Sequence, residues 1–426
     1  MTPERIQRIY ITLLLLQTLA ASLIWGINTL FLLDAGLSIT GAFVANGAFT
    51  AGMVIFEVPT GVVADAAGRR VSFILGAATL LVTTLAYLGL WWWSSSLIWW
   101  VLVSALIGLG FTFFSGATEA WLVDALDATG FDGAVESVFG KGQVAAGAAT
   151  LAGTIGGGFL AQISLGLPYA IRSALLLAVI LAAVLWMRDI GYSPQRGENI
   201  RAEVKSILTN SIKHGFGNPP VRMFLLGAPF AMGVGIWVFY AFQPYLLQLF
   251  GDESAFYLSG IAAAIFALAQ MAGGASVNVV RRLVSSRTGV ISSEVAIGAV
   301  ALVGVGLAEQ LATPVGFWVA IVLLAVVALF GAISGPLQQA FINEVIPSAQ
   351  RATVLSFSSL MGSAGGVVAQ PALGRVADVW SLGVGYIVAG ALYAIRLPFV
   401  IAVKRMGLEA DRVKRAAIVG ADDDLA

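Results

Sequence analysis

Glu57, Gly61, Asp65 and Arg69 recur every four residues in "FEVPTGVVADAAGRRV", residues 56–71, inside and just beyond one of the most apolar runs of the chain. In a helix that spacing lines them up as one stripe of acid, gap, acid and base. A second pair of carboxylates, Glu119 and Asp124, stands five residues apart. At about 100° per residue they point roughly 140° away from each other and cannot share a face. If Asp124 looks toward the basic turn at 69–70, Glu119 looks toward a cavity or a helix seam. An acid inside an apolar span is costly and is a functional candidate by default. Glu119, and after it Glu57, are therefore the candidates for carrying a proton.

The elements that position these groups follow from composition. With 59% hydrophobic residues, 11% charged residues and no cysteine in 426 residues, and a mean hydropathy of +0.91, the chain reads as an all-α polytopic membrane protein. Zero net charge and the lack of a basic stripe argue against a nucleic-acid partner. One histidine, His214, and no thiol leave no metal site and no cofactor site to propose. No Ser/His/Asp grouping suggests an enzyme.

Apolar windows predict twelve spans, near 7–33, 38–63, 71–93, 96–124, 142–165, 168–188, 221–250, 255–279, 289–308, 314–343, 352–376 and 380–403. The long connection at 189–220, with Pro194, Pro219 and Pro220, divides them into six-helix halves at 1–188 and 221–403, followed by a tail at 404–426. Within the connection, residues 198–216 space Ile200, Val204, Ile207 and Leu208 as an amphipathic helix, and the tail ends in acidic "ADDDLA". Lysine and arginine concentrate on the side holding Arg5, Arg69, Arg70, Arg281, Arg282 and Lys404, while the other side keeps Arg172 and Arg375. That bias predicts a plasma-membrane protein with both termini cytoplasmic. Arg172 and Arg396 are expected to snorkel from helix ends.

"SGATEAWLVD" at 115–124 aligns without a gap on "SGPLQQAFIN" at 334–343, pairing Glu119 with Gln338 and Asp124 with Asn343. Each segment ends the fourth predicted helix of its half. Duplicated halves are a carrier architecture with the substrate held between them.

"GVVADAAGRR", residues 61–70, resembles the signature of the major facilitator superfamily at Gly61, Asp65, Gly68, Arg69 and Arg70, with Val63 and Ala66 departing from it. The resemblance implies the twelve-helix fold of that superfamily and a conformational latch. Asp65 would meet the N-terminus of helix eleven near Arg351, Gly61 would let that helix approach, and Arg69 would pair with Asp124. "GTIGGG", residues 153–158, is similar to the superfamily's antiporter motif with Thr154 in place of proline, and Ser104 stands where a buried arginine is frequent. The resemblance also places the substrate cavity on the first and fourth helices of each half. Trp25, Asn28, Tyr240, Gln243, Gln270, Gln338 and Gln370 are its candidate lining, each open to a plain packing role as well.

The implied activity is alternating-access transport of a neutral, amphipathic or weakly cationic organic solute by a monomer resembling bacterial drug-efflux carriers, coupled to protons. An uptake symporter or a facilitator is the alternative within transport, and a non-transporting receptor or scaffold the alternative outside it. Among the competing acids, Asp34, Asp252, Glu253 and Glu309 fall at outer ends. Glu294 falls on a helix that the resemblance places away from the cavity.

Overall fold

The computed structural model describes residues 1–193, 209, 215–347 and 350–413. His214, most of the amphipathic stretch at 198–216 and the acidic tail lie outside these residues. The described residues form α1 (Pro3–Ser22), α2 (Asn28–Asp34), α3 (Ile39–Ala67), α4 (Arg69–Trp92), α5 (Leu97–Thr112), α6 (Ala117–Asp127), α7 (Val135–Ala161) and α8 (Gly166–Trp186). After the connection come α9 (Pro219–Phe250), α10 (Phe256–Leu283), α11 (Arg287–Leu307), α12 (Val315–Val345), α13 (Arg351–Val379), α14 (Leu382–Ala394) and α15 (Arg396–Arg405). Backbone groups in lipid must be satisfied within the segment, and this all-helical arrangement does so.

Among the described residues, ten helical stretches are long and apolar enough to cross a membrane, against the twelve the sequence predicts. α1 falls short because it opens on Glu4, Arg5 and Arg8.

Three predicted helices are broken. The first unwinds at residues 23–27, the fourth at 113–116, where Gly116 takes φ +68°, and the last bends at Ile395. The 115–124 and 334–343 segments therefore do not match in shape, because α12 runs unbroken through Gly335 and Pro336.

Helices α1–α8 pack around one apolar core and α9–α15 mainly around two others. Phe31 anchors the first core, stacked 4.0 Å from Tyr169. Trp237 and Tyr386 meet edge to face at 5.1 Å in the second. The two groups join where α3 packs on α13, α7 on α10 and α2 on α9. Gly158 of α7 and Gly260 of α10 let those backbones touch, since a Cβ on either would meet the other.

Along the α3–α13 seam, Thr40 donates to Asp378 at 2.7 Å and Gln370 donates to Thr50 at 2.9 Å, while Phe43 of α3 stacks on Trp237 of α9. Three turns further on, a Cβ at Gly61 would meet nothing within 4 Å. Among the described residues, no helix makes the close approach at Gly61 that the resemblance implies. The seam is bonded toward the Thr40 end and, among the described residues, free of contact at Gly61, toward the basic end that carries Arg69, Arg70, Arg281, Arg282 and Lys404.

Candidate functional site

The break in the first helix is held from the other group of helices. Gln243 of α9, with no exposed surface, accepts from the Thr29 N–H at 2.7 Å and donates to the Trp25 carbonyl at 2.8 Å. Thr29 Oγ1 donates to the Tyr240 carbonyl, and Ser259 Oγ to the Gly26 carbonyl. These side chains satisfy backbone groups that unwinding releases. Gln243 is therefore bonded into the break and does not face open space, and Trp25 and Tyr240 contribute backbone carbonyls to the same junction.

Arg172 does not snorkel. It is 1% exposed and turns inward, donating through Nε to Thr84 at 3.1 Å and through Nη1 to the Ala20 carbonyl at 3.2 Å. Ala20 and Ala21 form the last turn of α1, so a cation sits at the negative end of that half-helix. The Phe111 ring lies 5.9 Å from the guanidinium carbon. Asn28 opens α2 beside this cluster, donating to Asn46 at 2.8 Å and accepting from Tyr169 at 3.1 Å.

Gln370 is also fully buried, donating to Thr50 Oγ1 and to the Gly366 carbonyl. Among the described residues its Oε1 and the neighbouring Asn46 Nδ2 have no hydrogen-bond partner. Asn46 and Thr50 lie on α3, within a span expected to supply the latch, and went unselected because polar residues one turn apart carry no distinctive signal.

At the basic end, Asp65 pairs with Arg69, whose Nε also lies 3.9 Å from Asp124. The expected Arg69–Asp124 pairing is present together with the Asp65 contact. α3 ends at Ala67, and Gly68, at φ +108°, turns the chain into α4, so the stripe holds through Asp65 and Arg69 returns to it from the next helix. Asp189, which the sequence did not single out, accepts from the Arg70 N–H at 2.9 Å and caps α4. Asp65 itself keeps 46% of its side chain exposed.

Glu57 is exposed and accepts from Ser115 at 2.7 Å across the break in the fourth helix. Glu119, in the first turn of α6, is exposed. The burial expected of these two acids is not observed.

Burial is found at Glu294 instead. It is 2% exposed, bonded to Tyr393 and to Arg396 Nη1 at 3.1 Å, and Arg396 also donates to Gln338. Arg396, expected to snorkel, is 8% exposed within this cluster. Gln338 is thus tied to a buried charge in the second group. Tyr393, the partner of Glu294, lines a cavity of about 390 Å³ within the second group. The cavity is otherwise walled by Gly235, Phe239 and Phe242 of α9, Phe266 and Gln270 of α10, and Val327 and Gly331 of α12. Gln270 is the one sequence-predicted candidate that lines it. Apolar walls with two polar groups suit an amphipathic ligand.

The family model of the Major Facilitator Superfamily matches residues 11–370. The chain belongs to the Major Facilitator Superfamily. No curated protein matches it. Among solved structures of this superfamily's fold, the nucleoside transporter NupG is similar at 14% identity and a TM-score of 0.75, covering 94% of this chain and 99% of that one. A D-xylose-proton symporter is similar at 16% identity and a TM-score of 0.65, covering 93% and 96%. A bacterial homolog of the human lysosomal transporter Spinster, in an inward-facing and occupied conformation, is similar at 15% identity and a TM-score of 0.68, covering 95% and 97%. Identities this low carry the superfamily fold and leave the substrate to the residues of this chain. As a superfamily member, the protein is a multi-pass membrane transporter by fold.

Proposed function

We propose that the chain is a monomeric, proton-coupled carrier that exports a neutral, amphipathic or weakly cationic organic solute by alternating access. The observation that carries this reading is the seam between the helix groups, bonded at Thr40–Asp378 and free of described contacts at Gly61, together with a cavity in the second group lined by Gln270 and Tyr393. By the positive-inside rule the basic end faces the cytoplasm. The six-helix halves of the sequence reading then correspond to α1–α8 and α9–α15, rocking against each other about the site. Similarity to a D-xylose-proton symporter favours uptake as the second reading. A thermal-shift screen of neutral and weakly basic compounds on the purified protein identifies ligands by the stability they add. Liposomes with a trapped pH dye then test coupling, since a coupled carrier moves protons when the ligand is added to one side.

Gly61, Asp65, Gly68, Arg69, Arg70 and Asp124 serve as the latch when the basic end closes. In the open form Asp65 is held by Arg69, and on closure it meets the N-terminus of α13. Asp65→Asn removes the charge that favours that contact, so it should enrich the cytoplasm-open form and slow transport with little effect on folding. Spin-label distances across the basic end measure this, and an unchanged distribution would remove the latch role.

Glu119 takes the proton, with Glu57 as the substitute. Its exposure leaves it open to protonation from solvent. Glu119→Gln should abolish transport driven by a pH gradient in everted vesicles while leaving ligand binding intact. Full gradient-driven transport in that variant would transfer the role to Glu57 or to an uncoupled mechanism.

A further inference from the structure

Near the basic end, α10 and α11 diverge. They are joined by residues 284–286, yet both pack on α12 and scarcely touch each other. Between them lies a groove of about 510 Å³, floored by Phe330 and Ile333 of α12 and walled by Leu283 and Val290. Leu283 is 77% exposed, and α11 presents the exposed stripe Ser293, Ala296 and Val300 on the groove side. In a membrane transporter such a face meets lipid, and an apolar cleft opening onto it is filled by an acyl chain.

The rim toward the basic end is polar and cationic. Ser285, Ser293 and Lys404 line it, and Lys404 makes no ion pair among the described residues. Its ammonium lies 3.8 Å from where a Cβ of Gly289 would stand, against the first turn of α11. A cation beside the positive end of a helix is an unfavourable placement that a nearby anion relieves. Asp411 supplies part of that relief, accepting from the Thr288 N–H at 2.7 Å and from Ser286 Oγ at 2.8 Å. Its carboxylate is spent on those donors and lies outside ion-pair range of Lys404. Arg281, Arg282 and Arg405 add exposed positive charge at the same level, as expected where a leaflet carries anionic lipid.

We propose that this groove binds one anionic phospholipid, with an acyl chain between α10 and α11 and the phosphodiester on Lys404 and the Ser285 hydroxyl. The site is independent of the transported solute and of the direction of transport.

Thermal unfolding of the full-length protein in a neutral detergent, with phosphatidylglycerol or phosphatidylcholine added at equal molar ratio, tests it. Phosphatidylglycerol should raise the unfolding midpoint more than phosphatidylcholine does. Lys404→Gln should remove most of that difference, and so should Val290→Trp, which fills the groove. Arg282→Gln, outside the lining, should retain it. Inorganic phosphate should produce no rise. Equal effects of the two lipids on the unsubstituted protein would overturn the assignment. So would a difference that survives Lys404→Gln, one lost equally in Arg282→Gln, or a rise with phosphate alone.

Discussion

Glu294→Gln is expected to destabilise the folded protein by about 3–5 kcal/mol, because it leaves the Arg396 guanidinium buried without a counter-charge. Glu294 and Arg396 tie α11 to the junction of α14 and α15, and Gln338 and Tyr393 bring α12 and the cavity wall into the same network. Neither charge can turn to water, at 2% and 8% exposure. Arg396→Met should cost a similar amount by stranding Glu294. The double variant Glu294→Leu, Arg396→Met should recover most of the loss, since a buried pair replaced by apolar groups of similar volume costs little. Unfolding in mixed micelles with increasing denaturing detergent, read as a double-mutant cycle, measures the coupling. Additive losses would show that the two groups act separately.

Gln243→Leu should shift the conformational equilibrium more than any other single change of an uncharged residue. It keeps the volume of the side chain but orphans the Trp25 carbonyl and the Thr29 N–H in the seam. Each unsatisfied buried group costs about 1–3 kcal/mol. That cost falls on the form closed at the Thr40 end, so the form open at that end gains population by about tenfold or more. The chain has no cysteine, so engineered labels report without background. Spin labels at Ser96 and Ala312, on loops at the Thr40 end, should show a longer distance in Gln243→Leu than in the unsubstituted protein. An unchanged distance would mean that α9 does not hold the break.

The fold was legible because lipid imposes a simple rule on sequence. Apolar length sets helices, and the paired spacing of Gly61, Asp65, Gly68, Arg69 and Arg70 carries the superfamily. The breaks were not legible, because their causes lie far away in the chain. The first helix unwinds where Gln243 can satisfy it, more than two hundred residues later. Ser-Gly at 115–116 accompanies a break while the same pair at 334–335 stays helical, so the dipeptide alone does not decide. Arg172 and Arg396 were read from their places near helix ends, whereas their partners, Ala20, Thr84 and Glu294, come from helices that only tertiary packing brings alongside. The amides selected as cavity lining illustrate the same limit. Gln243 and Gln370 are spent on bonds between helices, and Gln270, of the same residue type, lines open space.

Alternating access predicts reciprocal motion at the two ends. Double electron–electron resonance with one label pair at Asp132 and Arg282 on the basic end, and another at Ser96 and Ala312 on the opposite end, tests it directly. In the unsubstituted protein the first pair should be far apart and the second close. In Gln243→Leu the first should shorten as the second lengthens, and Asp65→Asn should oppose that exchange. Two ends that move independently, or distances fixed at both ends in every variant, would contradict a carrier that exposes its cavity to one side at a time.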